Sequence, residues 1–344
     1  MNYKILGNTG LKVSTLCLGT MNYGGKGFFN HMGNLDQAEV DEQIKTVMDA
    51  GVNFIDTANI YSEGLSEIMI GKAIKNLSIK RDDLVLATKV RGSMGKGEND
   101  RGLSRKHIIQ QVDESLKRLN TDYIDLYQLH TSDPLTPIEE TLRALDDLAR
   151  SGKVRYIGAS NFMAWHLMKA LAHSTYTNLE KFASLQANYS LDNRDLEREM
   201  IPLLQDQKVG LMVWSPLSGG LLTGKYKRDG NNEKGRLNDF PFEPFHKERA
   251  FDVLDVLFPM AEQKGYSVAQ LALAWLLHQP VVTSVIVGAT KMTQLQDNLK
   301  AVEIEFTVEE LQKLEEVSVL PIEYPKNVVD LMTADRSNGQ DFLS

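Results

Sequence analysis

Four residues able to share acid chemistry stand at or just beyond the ends of apolar runs. Asp56 closes "NFID", Lys89 closes "LVLATK", His130 closes "IDLYQLH", and Tyr61 follows Asp56 by five residues in "TANIYSEG". A free tyrosine has a pKa of about 10, too high for efficient proton donation near neutral pH. A neighbouring ammonium stabilises the tyrosinate and lowers that value. A carboxylate beside the lysine keeps the lysine charged and oriented. A histidine can hydrogen-bond a carbonyl oxygen and fix its direction. Asp56, Tyr61, Lys89 and His130 therefore read as a proton-donating set, provided the fold brings the strand ends together.

Two other uses compete for the same groups. A zinc site wants three or four His, Cys or carboxylate ligands, and the seven histidines form no H-x-H or H-E-x-x-H pattern. A lysine at a strand end could instead form a Schiff base, as in a lyase, but no phosphate site for such a substrate stands out.

The elements that would position these residues alternate. Eight strand candidates are "TLCLG", "NFID", "LVLATK", "IDLYQLH", "RYIGASN", "SLQAN", "GLMVWS" and "SVIVG", separated by amphipathic helical stretches. Helix starts are marked by Asp36 with Glu39, by Ser104, by Thr136 with Glu139 and Pro137, and by Ser267; Gly51 marks a helix end. Alternating strands and helices imply a parallel sheet. Eight units fit a closed (β/α)8 TIM barrel, with "GNTG" turning a short N-terminal hairpin before it. A doubly wound sheet is the alternative, but it would present G-x-G-x-x-G after its first strand. "GGKG" lacks that spacing and is read as a flexible loop. Residues 215–246, rich in Gly, Pro, Asn and charge, read as a long loop after strand seven. The expected organisation is one barrel domain over residues 1–344, with a tail from about 321 that could fold over the barrel mouth.

In such a barrel the site lies at the C-terminal strand ends. The groups there are Thr20, Asp56, Lys89, His130, Ser160 with Asn161, Gln186 with Asn188, Trp214 with Ser215, and Gly288. Almost every strand ends on a group able to bind or react. Substrate-side positions would be Met21, Tyr23, Asn59, Arg91 and the tail, with Tyr23 and Phe28 forming an aromatic wall or simply packing the loop. Arg91 could face an anionic substrate or be a solvated charge.

Composition narrows the classes further. A net charge of −8 argues against a nucleic-acid binder. The lone Cys17 forbids an internal disulfide and reads as a core residue. No apolar run approaches the ~18 residues of a membrane span, and the N-terminus lacks the apolar stretch of a signal peptide. A cytoplasmic protein with no membrane or nucleic-acid partner is expected.

The segments "LGNTGLKVSTLCLGT", "GVNFIDTANIYSEGLSEIMIGKAI", "LATKV", "YIDLYQLH", "GKVRYIGASNF", "QANYSL", "WSPLSGGLLTGKY" and "VIVGATKMTQLQDN" occur in the order found in aldo-keto reductases. The chain resembles that family over about residues 2–320, and "WSPLSGGLLTGKY" is most similar to a bacterial branch related to potassium-channel β subunits. The resemblance implies an NADP-dependent oxidoreductase reducing small-molecule aldehydes or ketones to alcohols. Its catalytic set would be Asp56, Tyr61, Lys89 and His130, with Tyr61 donating the proton. Cofactor contacts would be Thr20 and Met21, then Ser160, Asn161 and Gln186 on the carboxamide. Trp214 would stack on the nicotinamide. Ser215, Pro216, Leu217, Ser218 and Gly219 would follow the pyrophosphate. Lys225 and Arg236 would close over it, while Gly288, Thr290, Gln294, Asp297 and Asn298 would receive the adenosine end. Gln294 stands where many relatives carry an arginine for the 2′-phosphate, so NADH use is compatible with the pattern, and Lys291 or Arg236 could compensate. Channel β subunits carry Asn in place of His130, so His130 favours a working reductase over a cofactor-sensing regulatory subunit. These motifs do not fix the oligomeric state.

Overall fold

A computed structural model describes residues 1–228 and 246–333. Two short strands, β1 (Tyr3–Ile5) and β2 (Lys12–Ser14), pair antiparallel as the N-terminal hairpin. Eight parallel strands then close a barrel: β3 (Leu16–Gly19), β4 (Phe54–Asp56), β5 (Val85–Val90), β6 (Ile124–Leu129), β7 (Val154–Ser160), β8 (Phe182–Asn188), β9 (Gly210–Trp214) and β10 (Val282–Val287). β10 pairs with β3, so the sheet has no free edge. All eight expected strands are present. The family of a (β/α)8 TIM barrel with an N-terminal hairpin is thus the observed architecture.

The barrel interior is layered. The hairpin's Leu6 and Val13 pack with Cys17, Phe54, Val85, Ala87, Leu126 and Met212 as an apolar floor. Gly7, at φ +54°, presses so closely against the barrel that a Cβ would lie 2.2 Å from the Ala183 carbonyl oxygen. Above the floor, period-2 alternation turns Asp56, Lys89 and Gln128 inward, two residues beyond Phe54, Ala87 and Leu126. A second cluster of apolar residues lies between the barrel and its helices.

The capping boxes at Asp36/Glu39 and Ser267/Gln270 form, and the Ser104 side chain accepts from the His107 N–H. Gly51, at φ +85°, follows the Gln37–Asp49 helix as expected. The Thr136/Glu139 box does not form. Thr136 donates instead to Asp133 at 2.8 Å, and Pro137, with ψ 128°, is the N-cap of the Ile138–Arg150 helix. "GGKG" is not an open loop either: Gly27–His31 makes a 3₁₀ turn that carries Phe29 against the site. The tail forms a helix at Lys326–Thr333 with no buried residue, and Arg198 pairs with Glu323 at 2.7 Å just before it.

Candidate active site

Asp56, Lys89 and Tyr61 meet at the inner end of β4 and β5. Lys89 Nζ donates to Asp56 Oδ2 at 2.5 Å, to the Thr57 carbonyl at 2.9 Å and to Tyr61 Oη at 3.2 Å. Lys89 is fully buried, and Asp56 and Tyr61 are nearly so. Burial alone would pull the lysine's pKa down. The Asp56 carboxylate, the Tyr61 oxygen and hydrogen bonds to both more than offset this and hold it above the ordinary lysine value. The lysine is therefore an ammonium near neutral pH and donates to the tyrosine oxygen.

The loop after β4 sets the tyrosine's position. Thr57 N–H donates to the Ala87 carbonyl and Asn59 N–H to that of Lys89, so the chain keeps running beside β5 beyond the strand. This buries Asn59, whose Nδ2 donates to Gln111. Asn59 is thus part of the interior, not the substrate-side loop residue expected. Ser62, at φ 48°, donates to the Tyr23 carbonyl at 2.5 Å and locks the turn. Phe29 packs edge-on against Tyr61 at 5.2 Å, and the His130 ring does so at 5.8 Å. Tyr23 is fully buried with its hydroxyl facing Gln43, so it belongs to the core; Phe28 is half exposed and packs on Phe29.

His130 is held neutral. Burial first, then the charges of Lys89 and Arg91, lower its pKa from 6.5 to about 3. The ring stays uncharged near neutral pH and can serve as a hydrogen-bond donor rather than an acid. The unfolded chain takes up a proton near pH 6.5 that the folded chain refuses until about 3, so this residue costs stability as pH falls through that window. His130→Gln should therefore gain melting temperature relative to wild type as pH is lowered from 7 towards 4. A difference independent of pH would contradict the neutral assignment.

Sequence reasoning missed Gln128. Its Nε2 donates to Asp56 Oδ1 at 2.8 Å, alongside Gln186 Nε2 at 2.9 Å. The two amides leave Oδ2 to the lysine. Gly158, facing inward on β7, makes room for them: a Cβ there would lie 2.8 Å from Ser184 Oγ and 3.1 Å from Gln128 Cγ. The signal was the i, i+2 relation of Gln128 to His130 on one strand face. Hydrogen bonds to charged groups contribute about 1.5–3 kcal/mol. Gln128→Leu should lower kcat at least tenfold and scarcely move cofactor affinity; a larger change in cofactor Kd than in kcat would count against this role.

Around the rest of the mouth the structure brings some expected residues together and engages others internally. Asn161, at φ 54°, accepts from Trp214 Nε1 at 3.0 Å and donates to the His130 carbonyl at 3.0 Å, so both ends of its amide are taken. Gln186 gives its nitrogen to Asp56. Ser160 Oγ is buried and has no partner. Trp214 is half-buried at the end of β9. Ser215 Oγ accepts from the Gly219 N–H at 3.2 Å, and Ser218 donates to the buried Asp192 and faces Ser190. That tight turn, through Pro216 and Leu217, is therefore largely self-satisfied rather than an open row of donors. Lys225 lies over the Tyr226 ring at 5.1 Å. Arg236 lies outside the described residues. Gly288 and Thr290 are exposed in the loop after β10, whose Ala289 carbonyl is held by Asn22 and Gln43. Gln294 is exposed in the first turn of the Met292–Leu299 helix. Asn298 is buried, and Asp297 accepts from Ser267 at 2.7 Å and Gln270 at 2.9 Å and so also anchors a neighbouring helix. Thr20 is buried, donating to the Asp56 carbonyl at 3.1 Å, and Met21 packs beside Tyr61.

Strain concentrates at this end. Among the described residues, ten non-glycine residues have positive φ. Ser78, Asn120, Asn178 and Lys208 close helices; the other six, Ser62, Glu63, Arg91, Asn161, Ser215 and Ser218, lie in loops after barrel strands. Such strain persists where surrounding structure enforces it, and it clusters at functional sites. Among the described residues no group of three or more His, Cys, Asp or Glu could hold a metal ion, and no helix is long and apolar enough to cross a membrane.

A parallel barrel with a buried Asp–Lys–Tyr set and a histidine at its mouth is the arrangement of a barrel oxidoreductase. Residues 15–319 match the aldo/keto reductase family, and the chain belongs to that family. It is 40% identical to an uncharacterized oxidoreductase, YrpG, of Bacillus subtilis, over 92% of this chain and 96% of that one. It is 36% identical to versiconal hemiacetal acetate reductase of Aspergillus parasiticus, over 92% and 96%. It is also 38% identical to a protein of Arabidopsis thaliana named as a probable voltage-gated potassium channel subunit beta, over 88% and 92%.

Proposed function

We propose that this protein is an NADPH-dependent reductase of aldehyde or ketone carbonyls with Tyr61 as its proton donor. The observation that carries the reading is the Lys89 ammonium, buried, paired with Asp56 and donating to Tyr61 Oη. The residues fit a nicotinamide. The hydroxyl of Ser160 is buried without a partner, and the Gln186 carbonyl oxygen accepts no hydrogen bond among the described residues, while its nitrogen is spent on Asp56. Ser160 would donate to the carboxamide oxygen and Gln186 would accept from its amide nitrogen. Asn161 would act indirectly, by fixing the Trp214 ring against the nicotinamide face. Lys291, exposed at the start of the Met292–Leu299 helix beside Gln294, would meet a 2′-phosphate.

A bound nicotinamide would supply the hydride for the carbonyl carbon. His130, neutral, would donate a hydrogen bond that directs the carbonyl oxygen toward Tyr61. Tyr61 Oη would pass its proton to that oxygen. Lys89 would hold the resulting tyrosinate, and Asp56, clamped by Gln128 and Gln186, would hold Lys89. The protein would act in the cytoplasm.

Loss of NADPH absorbance with a reactive aromatic aldehyde tests the reading, with NADH run in parallel. A second reading, a cofactor-binding regulatory subunit with little turnover, is favoured by the likeness to the channel β subunit. Tight NADPH binding with no reduction across a broad carbonyl panel would select it.

A further inference from the structure

The barrel order sets β5 opposite β9. Trp214 and the turn at 215–219 belong to β9, the proposed cofactor side. A cation at the end of β5 therefore faces the substrate half of the mouth. That residue is Arg91, the first after β5. It is half-buried, its Nε is buried with no hydrogen-bond partner, and its guanidinium makes no ion pair among the described residues. Its backbone sits at φ 142°, a conformation side chains rarely adopt, with its carbonyl accepting from the Gly102 N–H at 2.9 Å.

Among the described residues no carboxylate forms an ion pair with this charge. Asp133 feels it, yet its oxygens are already occupied by the N–H groups of Leu103 at 2.8 Å and Leu135 at 3.1 Å and by the Thr136 hydroxyl at 2.8 Å. Lys89 is spent on Asp56, Thr57 and Tyr61. His130 is neutral. A guanidinium is a rigid fork of five donors matched to a carboxylate. Leaving a buried donor unpaired and straining the backbone to place it both carry a cost, which a ligand would offset.

We propose that Arg91 determines substrate specificity by binding a carboxylate on the substrate, so that the preferred aldehydes or ketones are oxo acids. The inference rests on the carbonyl-reductase reading and names its substrate class. The full-length protein with NADPH is assayed on 3- and 4-carboxybenzaldehyde and on their methyl esters, in wild type, Arg91→Gln and Arg91→Lys. Wild type should prefer acid over ester in kcat/KM. Arg91→Gln should reduce that preference at least tenfold, mainly through KM, and Arg91→Lys should restore part of it. An acid-to-ester ratio unmoved by Arg91→Gln, or equal losses on both, overturns the proposal. If wild type reduces neither these compounds nor a broad carbonyl panel, the reductase reading fails. The Arg91 site is then judged by calorimetric titration of benzoate into the NADPH complex: binding lost in Arg91→Gln supports it, and equal binding in both proteins overturns it.

Discussion

Tyr61→Phe should lower kcat for carbonyl reduction by about 10²–10⁴-fold, the usual contribution of a positioned general acid, while leaving NADPH affinity nearly unchanged. The substitution keeps the ring that packs on Phe29 and His130 and removes only the hydroxyl that Lys89 Nζ reaches at 3.2 Å. Stability should change little, because the ring lies in an apolar pocket with Met32 and Ala58. Stopped-flow traces would place the loss in the reduction step rather than in cofactor binding. A variant retaining more than a third of wild-type kcat would move the proton donor elsewhere.

The second large effect concerns the buried pair. Removing one member of a buried ion pair leaves an uncompensated charge and costs about 3–5 kcal/mol. Lys89 is fully buried and Asp56 nearly so. Lys89→Met alone should therefore both abolish turnover and destabilise the fold strongly, because the Asp56 carboxylate would keep only its two amide donors. Asp56→Asn with Lys89→Met removes both charges. The double variant should recover most of the lost denaturation free energy and none of the activity. That separation distinguishes a pair kept for chemistry from one kept for folding. If the double variant were no more stable than the single, the penalty would come from packing and the electrostatic account of the site would need revision.

Much of this arrangement was legible in the sequence because it depends on local pattern. A strand that ends on a polar residue after apolar alternation points that residue into the barrel mouth, which is why Asp56, Lys89 and His130 could be picked out without coordinates. Capping pairs such as Asp36 with Glu39 are similarly local. The failures needed information from across the fold. Thr136 looks like a capping residue until Asp133, in the loop after β6, competes for its hydroxyl. Asn59 looks like a loop residue until the backbone past β4 is seen to follow β5. Gln128 acquires its partner only because Gly158, on the adjacent strand, leaves space inside the barrel. Phe29 depends on how "GGKG" folds back over Tyr61. Ser218 and Asp297, read from the sequence as cofactor contacts, also bond within the fold, to Asp192 and from Ser267, which no local pattern announces.

If hydride passes from nicotinamide to a carbonyl carbon at this barrel mouth while Tyr61 supplies the proton, isotope from the cofactor must appear in the alcohol. The most direct test is to incubate the protein with [4,4-²H₂]NADPH and benzaldehyde and to analyse the alcohol by mass spectrometry. One deuterium at the benzylic carbon, formed by wild type and nearly absent with Tyr61→Phe, is the predicted result. Benzyl alcohol carrying no deuterium, or equal labelled product from both proteins, would contradict it.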